Sequence, residues 1–314
     1  MRTLLTGATG FVGAALARRL QAQGADVSAL VRVPLAPPQA PAISAVCVGE
    51  PWSAADFGAA LAGVATVVHL AARVHVMRDA ATDPLAAFRA VNVAATLNLA
   101  RQAAASGVKR FVFVSSVKVN GEYTLPMHAF TEADPPSPQD AYGLSKSEAE
   151  LGLRALEAKT GMEMVIIRPP LVYGPGVKAN FAALAGAVQR GWPLPLGAIH
   201  NRRSLVALDN LVDMIVTCLS HAGAAGQIFL VSDGHDLSTT ELVQGLGRAI
   251  RVPARLIPVP AWALRAGAGL LGRGDAVHRL CGNLQVDISK ARSLLGWVPP
   301  VSVEDGLRRA VAGF

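Results

Sequence analysis

The first half of the chain alternates short, largely β-branched apolar runs with alanine-rich stretches at helical spacing. That rhythm predicts strands over 3–6, 27–31, 45–48, 67–70, 111–115 and 164–168. Helices are predicted between them over 11–23, 56–61, 84–106 and 142–160. Strands without polar alternation, each followed by a helix, belong to a parallel sheet covered on both faces. Gly24, Gly107 and Gly161 fall where helices end, as residues that tolerate a left-handed cap.

The pattern breaks at Arg168-Pro169-Pro170. A Pro/Gly-rich loop, a helix over 181–190, a turn at 193–197 and two further strands (204–208, 227–231) follow. The remainder from about His235 reads as a small helical lobe. The expected division is 1–167 with 204–234 for the sheet domain, and 168–203 with 235–314 for a substrate lobe. Ligands of such folds sit in the crevice between the two.

At 52% hydrophobic and 16% charged residues, most of the 314-residue chain is core and wall. No uninterrupted apolar run reaches the length of a membrane span. The nearest, 256–271, is broken by Pro258, Pro260, Arg265 and glycines. It reads first as an apolar helix of the smaller lobe and second as a membrane-surface helix. The chain runs from Met1-Arg2 directly into a core strand, which leaves no room for a removable signal and makes the cytoplasm the expected compartment. Cys47, Cys218 and Cys281 are isolated, so neither a disulfide framework nor a metal site is expected. The net charge of +7 calls for an anionic partner. Its basic residues come as scattered pairs without interleaved aromatics, which fits a phosphorylated small molecule and not nucleic acid.

Two motifs carry the chemistry. Gly7, Gly10 and Gly13 stand three apart between a predicted strand and helix, in Thr6-Gly7-Ala8-Thr9-Gly10-Phe11-Val12-Gly13. Such a turn lets backbone approach a pyrophosphate at the helix N-terminus. After the second strand comes Arg32, with no carboxylate until Glu50, so NADP(H) is favoured and NAD(H) remains open. The second motif is Tyr142-Gly143-Leu144-Ser145-Lys146, 26 residues beyond Ser116. On a helix it sets a phenol and an ammonium one turn apart on one face. At about 4 Å and an effective dielectric near ~20, the ammonium would favour phenolate by about three pKa units. The tyrosine would then exchange a proton near neutral pH while Ser116 stabilises charge on the reacting oxygen.

Together these motifs resemble the extended short-chain dehydrogenase/reductase family of nucleotide-sugar epimerases, dehydratases and reductases. The resemblance extends to His69-Leu70-Ala71-Ala72, Val91-Asn92-Val93, Val172-Tyr173-Gly174-Pro175-Gly176 and Leu295-Gly296-Trp297-Val298-Pro299. It implies a Rossmann-type, doubly wound α/β sheet with Ser116, Tyr142 and Lys146 catalytic. It also implies a cofactor held by Gly7, Thr9, Gly10, Phe11, Val12, Arg32, Glu50, Leu70, Ala71, Ala72, Asn92, Ser115, Tyr142, Lys146, Pro169 and Leu171. A UDP-sugar would be held by Lys118, Asn180 and Arg203, and the family habit is a homodimer.

Val117 and Lys118 stand where the family's dehydratases carry an Asp-Glu pair, which disfavours dehydration. The block 115–122, with Asn201-Arg202-Arg203-Ser204 and Leu284-Gln285-Val286-Asp287, is similar to a bacterial polysaccharide (O-antigen) subgroup. The first expectation is reduction of a UDP-4-keto-6-deoxy-N-acetylhexosamine. The second is a UDP-hexose 4-epimerase (UDP-glucose or UDP-N-acetylglucosamine) that retains NAD. A non-catalytic NADP-binding scaffold is the third, because fold alone does not establish function.

Overall fold

The computed structural model describes residues 2–33, 43–74, 83–270 and 274–312. β1 (Arg2–Thr6) leads through the glycine turn into α1 (Phe11–Ala22). β2 (Val27–Val31), β3 (Ser44–Cys47), α2 (Gly58–Leu61) and β4 (Val64–His69) follow. β4 starts before its expected position because Val64 and Thr66 already pair with Arg2 and Thr3 of β1.

The stretch predicted as one helix over 84–106 is three pieces. α3 (Pro84–Arg89) begins at Asp83, whose carboxylate caps the Ala86 N–H, and α4 (Thr96–Ala105) closes the stretch. Between them Ala90–Ala95 widens into a π-turn, which the apolar pattern does not distinguish from an ordinary helix.

β5 (Arg110–Val114), α5 (Ala141–Thr160) and β6 (Glu163–Arg168) complete the expected core. Gly24, Gly107 and Gly161 all take positive φ beyond their helices, as expected. Beyond β6 lie β7 (Leu171–Tyr173), α6 (Ala179–Gln189), β8 (Leu205–Ala207), α7 (Leu208–Ser220) and β9 (Gln227–Leu230). The last helices are α8 (Thr239–Ile250), α9 (Ala261–Leu270), α10 (Gly274–Cys281), α11 (Ser289–Leu295) and α12 (Val303–Val311).

Seven strands form one parallel sheet in the order β3-β2-β1-β4-β5-β6-β9. Chain order reverses at β1, so the carboxyl ends of β1 and β4 flank the position where such folds bind ligands. Adjacent strand residues face opposite sides. Leu5, Val68, Val112 and Val165 pack with α1 and α7, while Leu4, Val67, Phe111 and Met164 pack with α4 and α5. The C-terminal stretch returns to the first of these faces through Leu284, Val286 and Trp297, whose indole N–H donates to Asp213. A third apolar cluster gathers Tyr173, Phe181, Leu196, Val243, Leu246 and Val311 around α6, α8 and α12. Among the described residues no helix is long and apolar enough to cross a membrane.

Candidate active site

The β1–α1 turn is built so that only glycine fits. A Cβ on Gly13 would lie 2.1 Å from the Gly7 carbonyl oxygen, and one on Gly7 would meet the Ala71 nitrogen at 2.8 Å. Gly7 also has φ +69°. The N-terminus of α1 has neither a side-chain cap nor an acidic residue in its first turn. Its free N–H groups and positive dipole end suit an anionic group such as a pyrophosphate.

His69 secures the neighbouring strand end. The Thr6 hydroxyl accepts from the Leu70 and Ala71 N–H groups at 3.1 and 3.0 Å and lies 2.8 Å from His69 Nδ1. Its own proton is therefore free for Nδ1, and the Nε2 proton goes to the Thr96 hydroxyl at 2.9 Å. Burial, and then the charge of Lys146, push the imidazole down to about 3, so this tie is neutral.

A cavity of about 820 Å³ opens over the carboxyl ends of β1, β2, β4 and β5, a size suited to a small-molecule or cofactor site. Gly7, Thr9, Gly10, Phe11, Val12, Arg32, Glu50, Leu70, Ala71, Ala72, Ser115, Ser116, Tyr142, Lys146 and Pro169 all line it. The glycine cradle, uncapped helix start and elongated lining together fit a dinucleotide.

Two expected cofactor residues do not line it. Asn92 is buried and fully committed. Its amide oxygen accepts from the Arg73 N–H (2.8 Å), and its nitrogen donates to the Arg73 carbonyl (3.0 Å) and the Ser145 hydroxyl (2.9 Å). It ties the π-turn to α5 instead of reaching the cavity. Leu171 is exposed, and its strand neighbour Val172 faces the cavity in its place. The sequence reading missed Trp52, Ser53, Val172 and Leu211, all lining residues. They are apolar or small and carry no chemical signature that would have marked them.

Tyr142 and Lys146 sit on the first turns of α5, started by Asp140, whose carboxylate accepts the Gly143 N–H at 2.7 Å. The Tyr142 phenol lies near Ser116, which favours its ionised form, and meets the Phe88 ring edge-on. Its pKa is pushed up to about 12 by burial, then by the negative charge of Asp140, with Ser116 acting the other way. This corrects the expectation of a phenol lowered by Lys146. The buried lysine donates to the Val114 carbonyl at 2.9 Å, lies 4.4 Å from the Phe113 ring centre, and is lowered to about 7 by burial against the opposing pull of Glu150. Taking both groups out of water raises one and lowers the other. In the free protein the tyrosine is accordingly a proton donor.

Beneath the pair lies a buried network. Arg168 grips Glu150 with two nitrogens, Nη2 to Oε2 at 2.5 Å, and reaches the Asn120 amide oxygen at 3.0 Å. The Ser115 hydroxyl donates to Glu150 at 2.5 Å. Asn120 and Ser115 are thereby fixed to the helix of Tyr142 and Lys146.

The residues expected to hold a sugar nucleotide do not converge on the cavity. Lys118 is bound to Asp140 (2.5 Å) and Glu122 (2.8 Å). Arg203 donates to the carbonyls of Arg279 (2.8 Å) and Gly282 (3.2 Å), and burial and then the charge of Arg279 lower its pKa. Asn180 is exposed on the first turn of α6. At the other end Arg32 pairs with Glu50 at 3.0 Å, so a carboxylate does stand beside the end of β2. Strand ends 18 residues apart supply it, which a linear search of β2 cannot see. Among the described residues no cluster of potential metal ligands occurs.

Residues 3–232 match the NAD dependent epimerase/dehydratase family. The chain is 50% identical over 313 residues to UDP-glucose 4-epimerase of Vibrio cholerae, covering 99% of this chain and 94% of that one. It is 30% identical over 322 residues to N-acetyl-α-D-glucosaminyl-diphospho-ditrans,octacis-undecaprenol 4-epimerase of Escherichia coli O157:H7, covering 98% and 93% of the two chains. Among solved structures, MoeE5 in complex with UDP-glucose and NAD superimposes with a TM-score of 0.76 at 25% identity, covering 99% of this chain and 97% of that one.

Proposed function

The chain belongs to the NAD-dependent epimerase/dehydratase family, and from that premise we propose that it exchanges an alcohol and a ketone at C4 of a UDP-hexose. The observation that carries this reading is one cavity lined by the glycine cradle and by Ser116, Tyr142 and Lys146 together. A bound nicotinamide dinucleotide would supply or accept the hydride. Tyr142 gives its proton to the C4 oxygen on reduction and recovers it on oxidation. Ser116, near the phenol in the same cavity lining, stabilises charge on that oxygen. In its charged form Lys146 would favour the phenolate that oxidation requires once the dinucleotide and sugar are bound, a shift the free protein does not show. Residues 168–203 and 235–314 form the part that closes over the sugar, with Asn180 and Arg203 turning to the diphosphate as it binds.

The first reading of the net reaction is 4-epimerisation with retained NAD. It is supported by the names of the V. cholerae and E. coli relatives and by the Glu50 carboxylate beside Arg32, which disfavours a 2′-phosphate. Both relatives handle sugars on a diphosphate. The UDP carrier is the one shared by the nearer relative's name and by the MoeE5 complex. The second reading is an NADPH-dependent 4-ketoreductase of a 6-deoxy-N-acetylhexosamine for surface polysaccharide. It is supported by Arg32 at the end of β2 and by Val117, Lys118 and Asn120 after the candidate serine.

Denaturing the purified protein and identifying the released dinucleotide separates them. Stoichiometric NAD, with interconversion of UDP-glucose or UDP-N-acetylglucosamine and the C4 epimer, is the expected result. An empty site and NADPH consumption with a 4-keto sugar nucleotide would establish the reductase instead.

A further inference from the structure

Arginines on this molecule are used in two ways. Many exposed arginines meet carboxylates, as in Arg89 with Glu148, Arg154 with Glu157 and, on α12, Arg309 with Asp209. Around the third apolar cluster, Arg190, Arg248, Arg251, Arg255 and Arg265 are all exposed, and none pairs with a carboxylate among the described residues. The sequence explains the difference, since no Asp or Glu occurs between Glu163 and Asp209 or between Glu241 and Asp275. The arginines lie on segments that contribute to the same cluster and have no nearby acid in sequence.

The same segments carry exposed aromatic and aliphatic side chains. Of the four tryptophans, Trp52 and Trp297 are buried, while Trp192 is 56% and Trp262 73% exposed. A short ladder joins the two segments. The Leu194 N–H donates to the Arg255 carbonyl and the Ile257 N–H returns to the Leu194 carbonyl, each at 2.8 Å. Arg255 and Ile257, two apart on an extended stretch, face outward together while Leu256 packs inward. Arg190 lies over the Trp192 ring at 5.5 Å. The ladder runs on to Pro260, which bridges Ala198 and leads into α9. There Ala261 and Leu264 pack on the cluster, leaving Trp262, Arg265 and Ala266 exposed at i, i+3, i+4. Alongside, the end of α8 borders an open groove of about 430 Å³ lined by Arg248 and Arg251.

We propose that this face docks on an anionic lipid bilayer, with Trp192, Ile257 and Trp262 in the interface and the unpaired arginines on the headgroups. Tryptophan with arginine and no acid is the composition that membrane interfaces select. A second copy of the chain is the poorer occupant, because self-apposition would bring unpaired arginines against each other. A nucleic acid is also the poorer occupant, because stacking platforms interleave several aromatics along a basic groove and this face offers two tryptophans beside aliphatic side chains.

The test is co-sedimentation of the full chain with vesicles of phosphatidylcholine alone, or with about a quarter phosphatidylglycerol, at physiological salt. Expected are binding to the anionic vesicles alone, a blue shift of tryptophan emission, and release at high salt. Arg251→Glu with Arg255→Glu, and separately Trp192→Ser with Trp262→Ser, should each weaken binding by ~10-fold or more. None of these residues lines the large cavity, so dinucleotide affinity and the thermal midpoint should match the parent and serve as the folding control. Failure to bind anionic vesicles, or binding unchanged in both variants, would overturn the proposal. So would tighter binding to an oligonucleotide than to the vesicles, or concentration-dependent dimerisation abolished by the same substitutions.

Discussion

Gly7, Gly10 and Gly13 line the cavity with backbone, whereas Lys118, Asn180 and Arg203, the side chains expected at the sugar, stand off its lining. The first region is fixed by local sequence, because a turn that rejects a Cβ at Gly7 and Gly13 admits few alternatives. The second depends on long side chains, and Lys118 and Arg203 already have protein partners. A glycine cradle thus exists in the free protein, while under the proposed function a grip on the sugar diphosphate would require those partners to be exchanged.

Substitution at the cradle should have the largest effect. Gly13→Ala places a methyl group 2.1 Å from the Gly7 oxygen. It should abolish measurable dinucleotide binding by calorimetric titration and lower stability by about 1–3 kcal/mol. Unaltered binding would mean that the turn does not hold the pyrophosphate.

Next in size are the effects of pH. Lys146 titrates at about 7 in the folded protein against an ordinary 10.5, so between those values the unfolded chain binds a proton that the native one does not. Its contribution to stability therefore rises with pH from about 7 and is lost as pH falls back through that value. His69, lowered to about 3, adds a rise with pH between about 3 and 6.5. Tyr142, raised to about 12, reverses the sign above pH 10. Urea unfolding of Lys146→Met should show the slope between pH 7 and 10 reduced by about 1 kcal/mol per unit. A variant with the parental slope would place the shifted group elsewhere.

Arg203→Ala should raise KM for the sugar nucleotide by ~10-fold while leaving dinucleotide affinity unchanged. An unchanged KM would reduce Arg203 to a tie between its strand and Gly282. The smallest effect is expected at Glu50→Gln, which frees Arg32 and should improve NADPH affinity relative to NADH by only a few-fold, because both side chains are exposed. No shift in that ratio would remove Glu50 from cofactor choice.

The same contrast explains what could be read from the chain. The glycine turn and Tyr142 with Lys146 are local patterns, and both lie in the lining of the same cavity. Arg168 on Glu150, Glu50 on Arg32 and the Thr6–His69–Thr96 tie join residues far apart in sequence, which only the fold brings together. Asn92 was visible but its use was not. A π-turn aimed its side chain at Arg73 and Ser145, and nothing in Val91-Asn92-Val93 signals that turn. The pKa of Tyr142 also escaped prediction. The helical spacing brings a lysine one turn away but does not report how deeply both groups are buried, or that Asp140 lies beside the phenol.

Turnover by Tyr142→Phe tests the proton-transfer assignment most directly. With dinucleotide content and thermal stability matched to the parent protein, loss of the phenolic proton should lower kcat on the UDP-hexose by ~10²–10⁴-fold. A variant that interconverts or reduces the sugar at the parental rate would contradict the account.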